Sequence, residues 1–127
     1  METGGVYPRR DAVELLKALK FHQAIIESAG VGIIVVDTDA RVLNTNALAF
    51  EILAKSPTQV LNHLVVDIFP QSAREKLSDA LKQVIQLPAK TKISFHTDFN
   101  DRSIQTTVSA ILLSENKAGW VLVLEDA

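Results

Sequence analysis

The spacing of apolar residues changes several times along the chain, and each change marks an element. Residues 1–10 show no period and carry Gly4, Gly5 and Pro8, so a flexible lead-in is expected there. Over residues 11–29, Leu15, Leu19, His22 and Ile26 recur at helical steps, with Leu16 beside them. That spacing predicts an N-terminal amphipathic helix. Asp11-Ala-Val-Glu14 opens it as a capping box, and Gly30 closes it by taking the left-handed conformation.

Val31 to Asp37 is a continuous, largely β-branched run, which reads as a strand covered on both faces. Asp37-Thr-Asp39 offers short side chains that bond nearby amides and bend the chain, and Arg41 to Asn44 returns as a second strand. Asn46 suits a helix N-cap, and Ala49, Phe50, Ile52 and Leu53 supply the buried side of the helix that follows. Ser56-Pro57 breaks that helix, and Leu61 to Phe69 is apolar without period, with room for short helical turns only. Ser72-Ala-Arg-Glu75 has the spacing of a second capping box, ahead of a longer helix whose face is Leu77, Ala80, Leu81, Val84 and Ile85.

Beyond Pro88 the period becomes two. Ile93, Phe95, Thr97 and Phe99 alternate with Lys92, Ser94, His96 and Asp98, as in a sheet with one buried face. Asn100-Asp101 signals a tight hairpin turn, Arg102 to Leu113 the return strand, Glu115 to Gly119 another turn, and Trp120 to Leu124 a last strand. Five antiparallel strands with the helices inserted between the second and third make an α+β core domain over residues 30–127.

Composition narrows the chemistry. With 47% hydrophobic residues in 127, one core is expected. Thirteen Lys and Arg against fifteen Asp and Glu give a net charge of -2, so neither nucleic acid nor an anionic membrane is expected as a partner of this domain. No leader and no bilayer-spanning apolar run is visible, which predicts a soluble, cytoplasmic segment. The absence of cysteine removes disulfides, thiolate metal sites and cysteine nucleophiles together. No HExxH, phosphate-binding glycine run or spaced Ser/His/Asp set occurs, so no enzyme and no catalytic residue is expected. Asp37 and Asp39 invite reading as paired acids or metal ligands, but their turn position accounts for both. His22, His63 and His96 show no spacing that converges on a metal, so they read as surface or interface residues and no metal site is expected. His22 alone has a sharper alternative, as a pH-sensitive residue in a helix seam.

In order and spacing these residues resemble the PAS family of sensory domains, from about Phe21 to Asp126. The apolar first strand Val31 to Val36 ends in Asp37, the second strand runs Arg41 to Leu43, and Asn46 opens a helix with the apolar Ile52 six positions on. Asp67-Ile-Phe-Pro70 is similar to the family's acidic-apolar-proline segment, and Trp120-Val-Leu-Val-Leu-Glu-Asp126 to its last strand. The chain departs from the pattern at Ala40, Ala54 and Asn62, where glycine is frequent, and at Leu48, where a small residue is usual. Asparagine tolerates positive φ, whereas an alanine there either carries a conformational cost or adopts another turn.

The resemblance implies a cavity between the sheet and the helix bearing Phe50. Asn46, Phe50, Phe69, Phe95, Thr106 and Val108 are its ligand-pocket candidates, and the competing reading has these side chains simply filling the core. No cofactor is expected: flavin or coumarate attachment through cysteine is excluded, and the histidine that haem-binding relatives carry on the long helix is missing from Ser72 to Leu87. An unknown small apolar ligand stays open. The resemblance also implies a homodimer, with Leu15, Leu16, Leu19, His22 and Ile26 as interface candidates, and makes Asp126 the candidate point of signal exit. The expected function is a PAS-like sensory and dimerisation domain of a signal-transduction protein, a two-component sensor histidine kinase or a transcription regulator. It would relay ligand or partner binding to a covalently linked effector domain outside this segment. The alternative is a protein-interaction scaffold of roadblock or profilin type with no small-molecule ligand.

Overall fold

The computed structural model describes residues 30–88, 91–113 and 116–127. The expected lead-in and the expected N-terminal helix, with Leu15, Leu16, Leu19, His22 and Ile26, lie outside the described residues. Strands β1 (Gly32–Val36) and β2 (Val42–Thr45) form the predicted antiparallel hairpin. Asp37 builds its corner: the carboxylate Oδ1 accepts from the Asp39 amide at 2.8 Å and the Arg41 amide at 3.0 Å. Ile34 and Val36 are buried on one side of β1 and Val35 on the other, as a strand covered on both faces requires.

Four helices follow: α1 (Ala47–Leu53), α2 (Pro57–Val60), α3 (Val65–Ile68) and α4 (Arg74–Gln86). Ala54 ends α1 in the left-handed conformation at φ 56°, and Ser56 and Gln59 form a capping box around the start of α2. The expected box at Ser72 does not form. Ser72 sits inside a 3-10 turn, Gln71–Ala73, and α4 begins without a side-chain cap. That tighter turn starts directly after Pro70, whose carbonyl takes the Ala73 amide at 2.9 Å, so the chain is already coiled before Ser72 has a free amide to serve.

Strands β3 (Lys92–Phe99), β4 (Arg102–Leu113) and β5 (Asn116–Asp126) complete one antiparallel sheet in the order β2-β1-β5-β4-β3. Asn100 and Asp101 turn the β3-β4 hairpin with φ 47° and 67°, the two left-handed residues of a tight two-residue loop. The last strand starts at Asn116, not at Trp120 as expected. Gly119 belongs to the strand, with φ 148° beside a register shift on β4 between Ile111 and Leu112. A Cβ there would stand 2.0 Å from the Val36 carbonyl oxygen, so the glycine permits close approach of β5 to β1 instead of a turn.

The helices cover one face of the sheet, where Ile34, Leu122, Leu124, Val108 and Ile104 are fully buried with Leu77 and Val84 of α4. At roughly 25 cal/mol per Å2 of apolar area removed from water, each such side chain contributes about 1.5 to 3 kcal/mol. Two polar contacts then fix α4 against β5. Trp120 Nε1 donates to the Leu81 carbonyl at 3.0 Å, and Lys117 Nζ donates to the carbonyls of Ile85 and Leu87 at the helix C-terminus. No helix among the described residues is long and apolar enough to cross a membrane.

Candidate functional site

Three of the pocket candidates, Phe95, Thr106 and Val108, come from β3 and β4, and the strand register sets their order. Gly32, Leu124, Thr106 and Phe95 lie in one row across β1, β5, β4 and β3. The adjacent row runs Thr45, Ile34, Leu122, Val108 and Ile93. α1 closes the first row at Gly32, whose missing Cβ would stand 3.1 Å from the Ala49 Cα and 3.2 Å from Ile52 Cδ1. Phe50 and Phe95 are half-buried and pack against the core, while Thr106 and Val108 are wholly buried. Phe69 is buried further along the face, edge-on to Phe99 with ring centroids 5.1 Å apart. The structure thus brings Phe95, Thr106 and Val108 side by side.

Asn46 does different work. Its Oδ1 accepts from the Ala49 amide at 3.0 Å, which caps α1, and from the Ile33 amide at 2.9 Å, while Nδ2 donates to the Val31 carbonyl at 2.9 Å. One buried amide side chain therefore joins helix α1 to strand β1 and is engaged with backbone on both of its polar atoms. The hairpin residue type selected for capping is the same one that fastens the helix across the sheet.

Three threonines put polar atoms into the core, Thr45 on β2 at one edge of the sheet and Thr97 and Thr106 on β3 and β4 at the other side. Thr45, Thr97 and Thr106 are buried, and none of their hydroxyls has a hydrogen-bond partner among the described residues. Such a hydroxyl costs about 1 to 3 kcal/mol unless a partner arrives. Thr97 and Thr106 are diagonal neighbours, since Phe95 opposes Thr106 and Thr97 opposes Ile104 on the same pair of strands. Two donors thus point from β3 and β4 into an apolar surround. Thr106 was legible as an inward position; Thr97 was read only as core, because alternation reports burial and not hydrogen-bond satisfaction.

A cleft that the sequence did not signal opens at the β3-β4 hairpin tip. It has a volume of about 330 Å3 and brings Phe69 of the candidate set together with Lys55, Asp67, Arg74 and Asp98. Arg74 lines it and donates from Nε to the Phe69 carbonyl at 3.2 Å and from Nη2 to the Asp67 carbonyl at 3.3 Å. These residues come from α3, α4, β3 and the loops after α1 and α3, so no local spacing announces them.

Asp126 ends β5 in an ion pair with Arg102, whose Nε lies 2.9 Å from Oδ1. The hydrogen bond from the guanidinium holds the Asp126 carboxyl below its ordinary value of 3.8, and the same contact raises Arg102. The Ala127 amide adds a bond to the Ser103 carbonyl at 3.0 Å, so the strand end is tied to the start of β4.

The histidines stand apart. His63 Nδ1 lies 3.1 Å from the Leu61 carbonyl. His96 Nε2 meets both Ser103 Oγ and, at 3.6 Å, Asp98 Oδ1. Although Asp, His and Ser are adjacent here, both contacts fall on one ring nitrogen, so the carboxylate does not orient the imidazole for attack as a nucleophile triad requires. Among the described residues no group of three or more His, Cys, Asp or Glu could hold a metal ion.

Comparison with known proteins places this arrangement. The family model described as PAS fold matches residues 20–127. Nitrogen regulation protein NtrY of Azorhizobium caulinodans is 24% identical over 107 residues, which is 84% of this chain and 14% of NtrY. The chain thus spans about a seventh of that relative's length. The PAS domain of a protein from Colwellia psychrerythraea superposes with TM-score 0.70 at 14% identity, covering 87% of this chain and 97% of that one. A sensory box sensor histidine kinase structure from Vibrio cholerae gives TM-score 0.64 at 11% identity, covering 91% of this chain and 97% of that one.

Proposed function

This chain belongs to the PAS fold family, and from that premise we propose that it is the sensory and dimerisation module of a larger signal-transduction protein. A two-component sensor histidine kinase is the first choice of whole protein and a transcription regulator the second. The naming of the Vibrio cholerae structure as a sensor histidine kinase supports that order, and the naming of NtrY as a nitrogen regulation protein supports a regulatory role. The module itself is non-catalytic and acts from the cytoplasm. It pairs with a second copy through the N-terminal helix, with Leu15, Leu16, Leu19, His22 and Ile26 in the seam. It passes a change at the inner sheet face through β5 and Asp126 to a covalently linked effector.

The observation that carries the sensory part is the fully buried Thr106 hydroxyl between Phe95 and Leu124, which has no partner among the described residues. A small apolar molecule with one hydrogen-bonding group would satisfy it and be enclosed by Phe50, Phe95 and Val108. Such binding selects one of two arrangements of sheet and terminal helices, and dimer geometry carries the choice outward.

Native mass spectrometry of the purified chain tests the proposal, because one spectrum reports subunit count and retained small molecules. A dimer with a discrete excess mass that Thr106→Val abolishes is the expected result. A dimer without excess mass that metabolite extracts do not stabilise would move the assignment to an interaction scaffold. A monomer would remove the proposed role of the N-terminal helix.

A further inference from the structure

The two edges of the sheet are not alike. The outer edge of β2 is closed by the segment before α3: the Val42 amide donates to His63, the Asn62 amide donates to Val42, and the Val65 amide donates to Ala40. Among the described residues, β3 pairs only with β4, so its other edge carries no strand. β3 runs eight residues without proline and in unbroken register with β4. Edges of that kind are templates for another strand unless something blunts them.

The polarity of that edge follows from the turn. A two-residue loop between Phe99 and Arg102 makes them a hydrogen-bonded pair, so the odd-numbered residues of β3 exchange bonds with β4 and the even-numbered ones direct their amides and carbonyls outward. The outward set is Lys92, Ser94, His96 and Asp98, all with exposed side chains. Burial adds a second asymmetry. Phe99 and Thr97 are buried on the inward phase, whereas Ile93 and Phe95 are only half-covered, so one end of the strand has apolar surface awaiting a neighbour.

We propose that this edge binds a second copy of the chain, β3 against β3 in antiparallel register about Phe95. In that register Lys92 opposes Asp98 of the second copy, Ser94 opposes His96, and Phe95 opposes Phe95, with the two-fold repeating each pair. The hydrogen-bonding parity is met, because even residues face even residues. Charge selects this register from its neighbours. A shift by two residues in one direction sets Lys92 against His96, and in the other sets His96 against His96. Edge charges commonly prevent pairing by like-charge repulsion, yet here the two charges are opposite and symmetric about Phe95, which converts the repulsion into attraction between copies. The aromatic pair falls at a non-hydrogen-bonded position, where opposing side chains approach most closely.

Charge exchange tests it in the full chain by sedimentation velocity over a concentration series. Lys92→Asp and Asp98→Lys each place like charges opposite one another twice, and each is expected to weaken self-association through this edge about tenfold. The double exchange K92D/D98K restores the pairing and should recover it. Both positions are exposed, so folding is checked simply by circular dichroism. The lack of native cysteine gives an independent measurement. Lys92→Cys mixed with Asp98→Cys should oxidise mainly to the mixed disulfide, with neither variant linking efficiently to itself. Equal self-association in all three charge variants would overturn the proposal. So would a Lys92→Cys chain that links to itself as readily as to its counterpart, whatever happens at the N-terminal helix.

Discussion

Ala40, Ala54 and Asn62 all adopt positive φ, at 65°, 56° and 65°. The sequence allowed an alanine there either to keep the left-handed turn or to find another, and the turn was kept at both positions. The strain for a side chain in this region is about 1 to 2 kcal/mol, so glycine should relieve part of it. Ala54→Gly is expected to raise stability by about 0.5 to 1 kcal/mol in urea unfolding, net of the entropy glycine adds to the unfolded chain. Ala40→Gly should gain less, because the Ala40 methyl packs against the core. An unchanged or lower midpoint for Ala54→Gly would show that the C-cap is not strained. At the strand end, the hydrogen bond from Arg102 holds the Asp126 carboxyl below 3.8. A depressed carboxyl contributes its stabilisation above the unfolded value and loses it as pH falls through the folded one. A carboxyl-carbon NMR titration should therefore place Asp126 below 3.8, and Arg102→Gln should return it toward 3.8. Coincident titrations in the two proteins would mean that the pair does not persist in solution.

At the scale of elements, α4 is held by side chains from a strand distant in sequence. Trp120 Nε1 reaches the Leu81 carbonyl and Lys117 Nζ the helix C-terminus, where a cation also meets the negative end of the helix dipole. Trp120→Phe keeps most of the apolar burial but removes the donor, and is expected to cost about 1 to 3 kcal/mol. Lys117→Met leaves the carbonyls of Ile85 and Leu87 at the helix end unserved and should cost about 0.3 to 1 kcal/mol. If thermal unfolding ranks the two the other way, the C-terminal cap and not the indole is what fixes the helix. Such long-range clasps explain what was legible and what was not. Alternation in β3 and the face of α4 were readable because period reports burial. Asn46 was readable as a cap, yet its bonds to Val31 and Ile33 depend on where β1 runs. Gly119 looked like a turn because glycine usually marks one, whereas its actual reason is the Val36 carbonyl, a neighbour that exists only after the sheet has formed. Ser72 failed for a related reason, since Pro70 had already started a tighter turn. The charged cleft at the hairpin tip was invisible because its residues meet only in three dimensions.

At the scale of the whole molecule, the last strand in sequence is the middle strand in space. β5 joins the β1-β2 hairpin on one side to the β3-β4 hairpin on the other, so neither half of the sheet can be completed until Trp120 to Asp126 has arrived. Pairs such as Gly32 with Leu124 close almost the entire described chain, a topology that makes folding late and cooperative. The same placement bears on the proposed signalling route. Leu124 lies beside Thr106 on the inner face and only two residues before Asp126, so one continuous element joins the candidate site to the proposed point of exit. A central strand of this kind should have no local route of opening. Native-state hydrogen exchange in dilute protein is therefore expected to show the amides of Val121 to Leu124 exchanging with the free energy of global unfolding. The outward amides of Ser94 and His96 on the β3 edge should exchange orders of magnitude faster, and slow as protein concentration rises if that edge pairs between copies. Sub-global exchange in β5 would contradict the account, because the exit strand could then detach from the sheet without the core opening, and Asp126 would report on itself and not on the inner face.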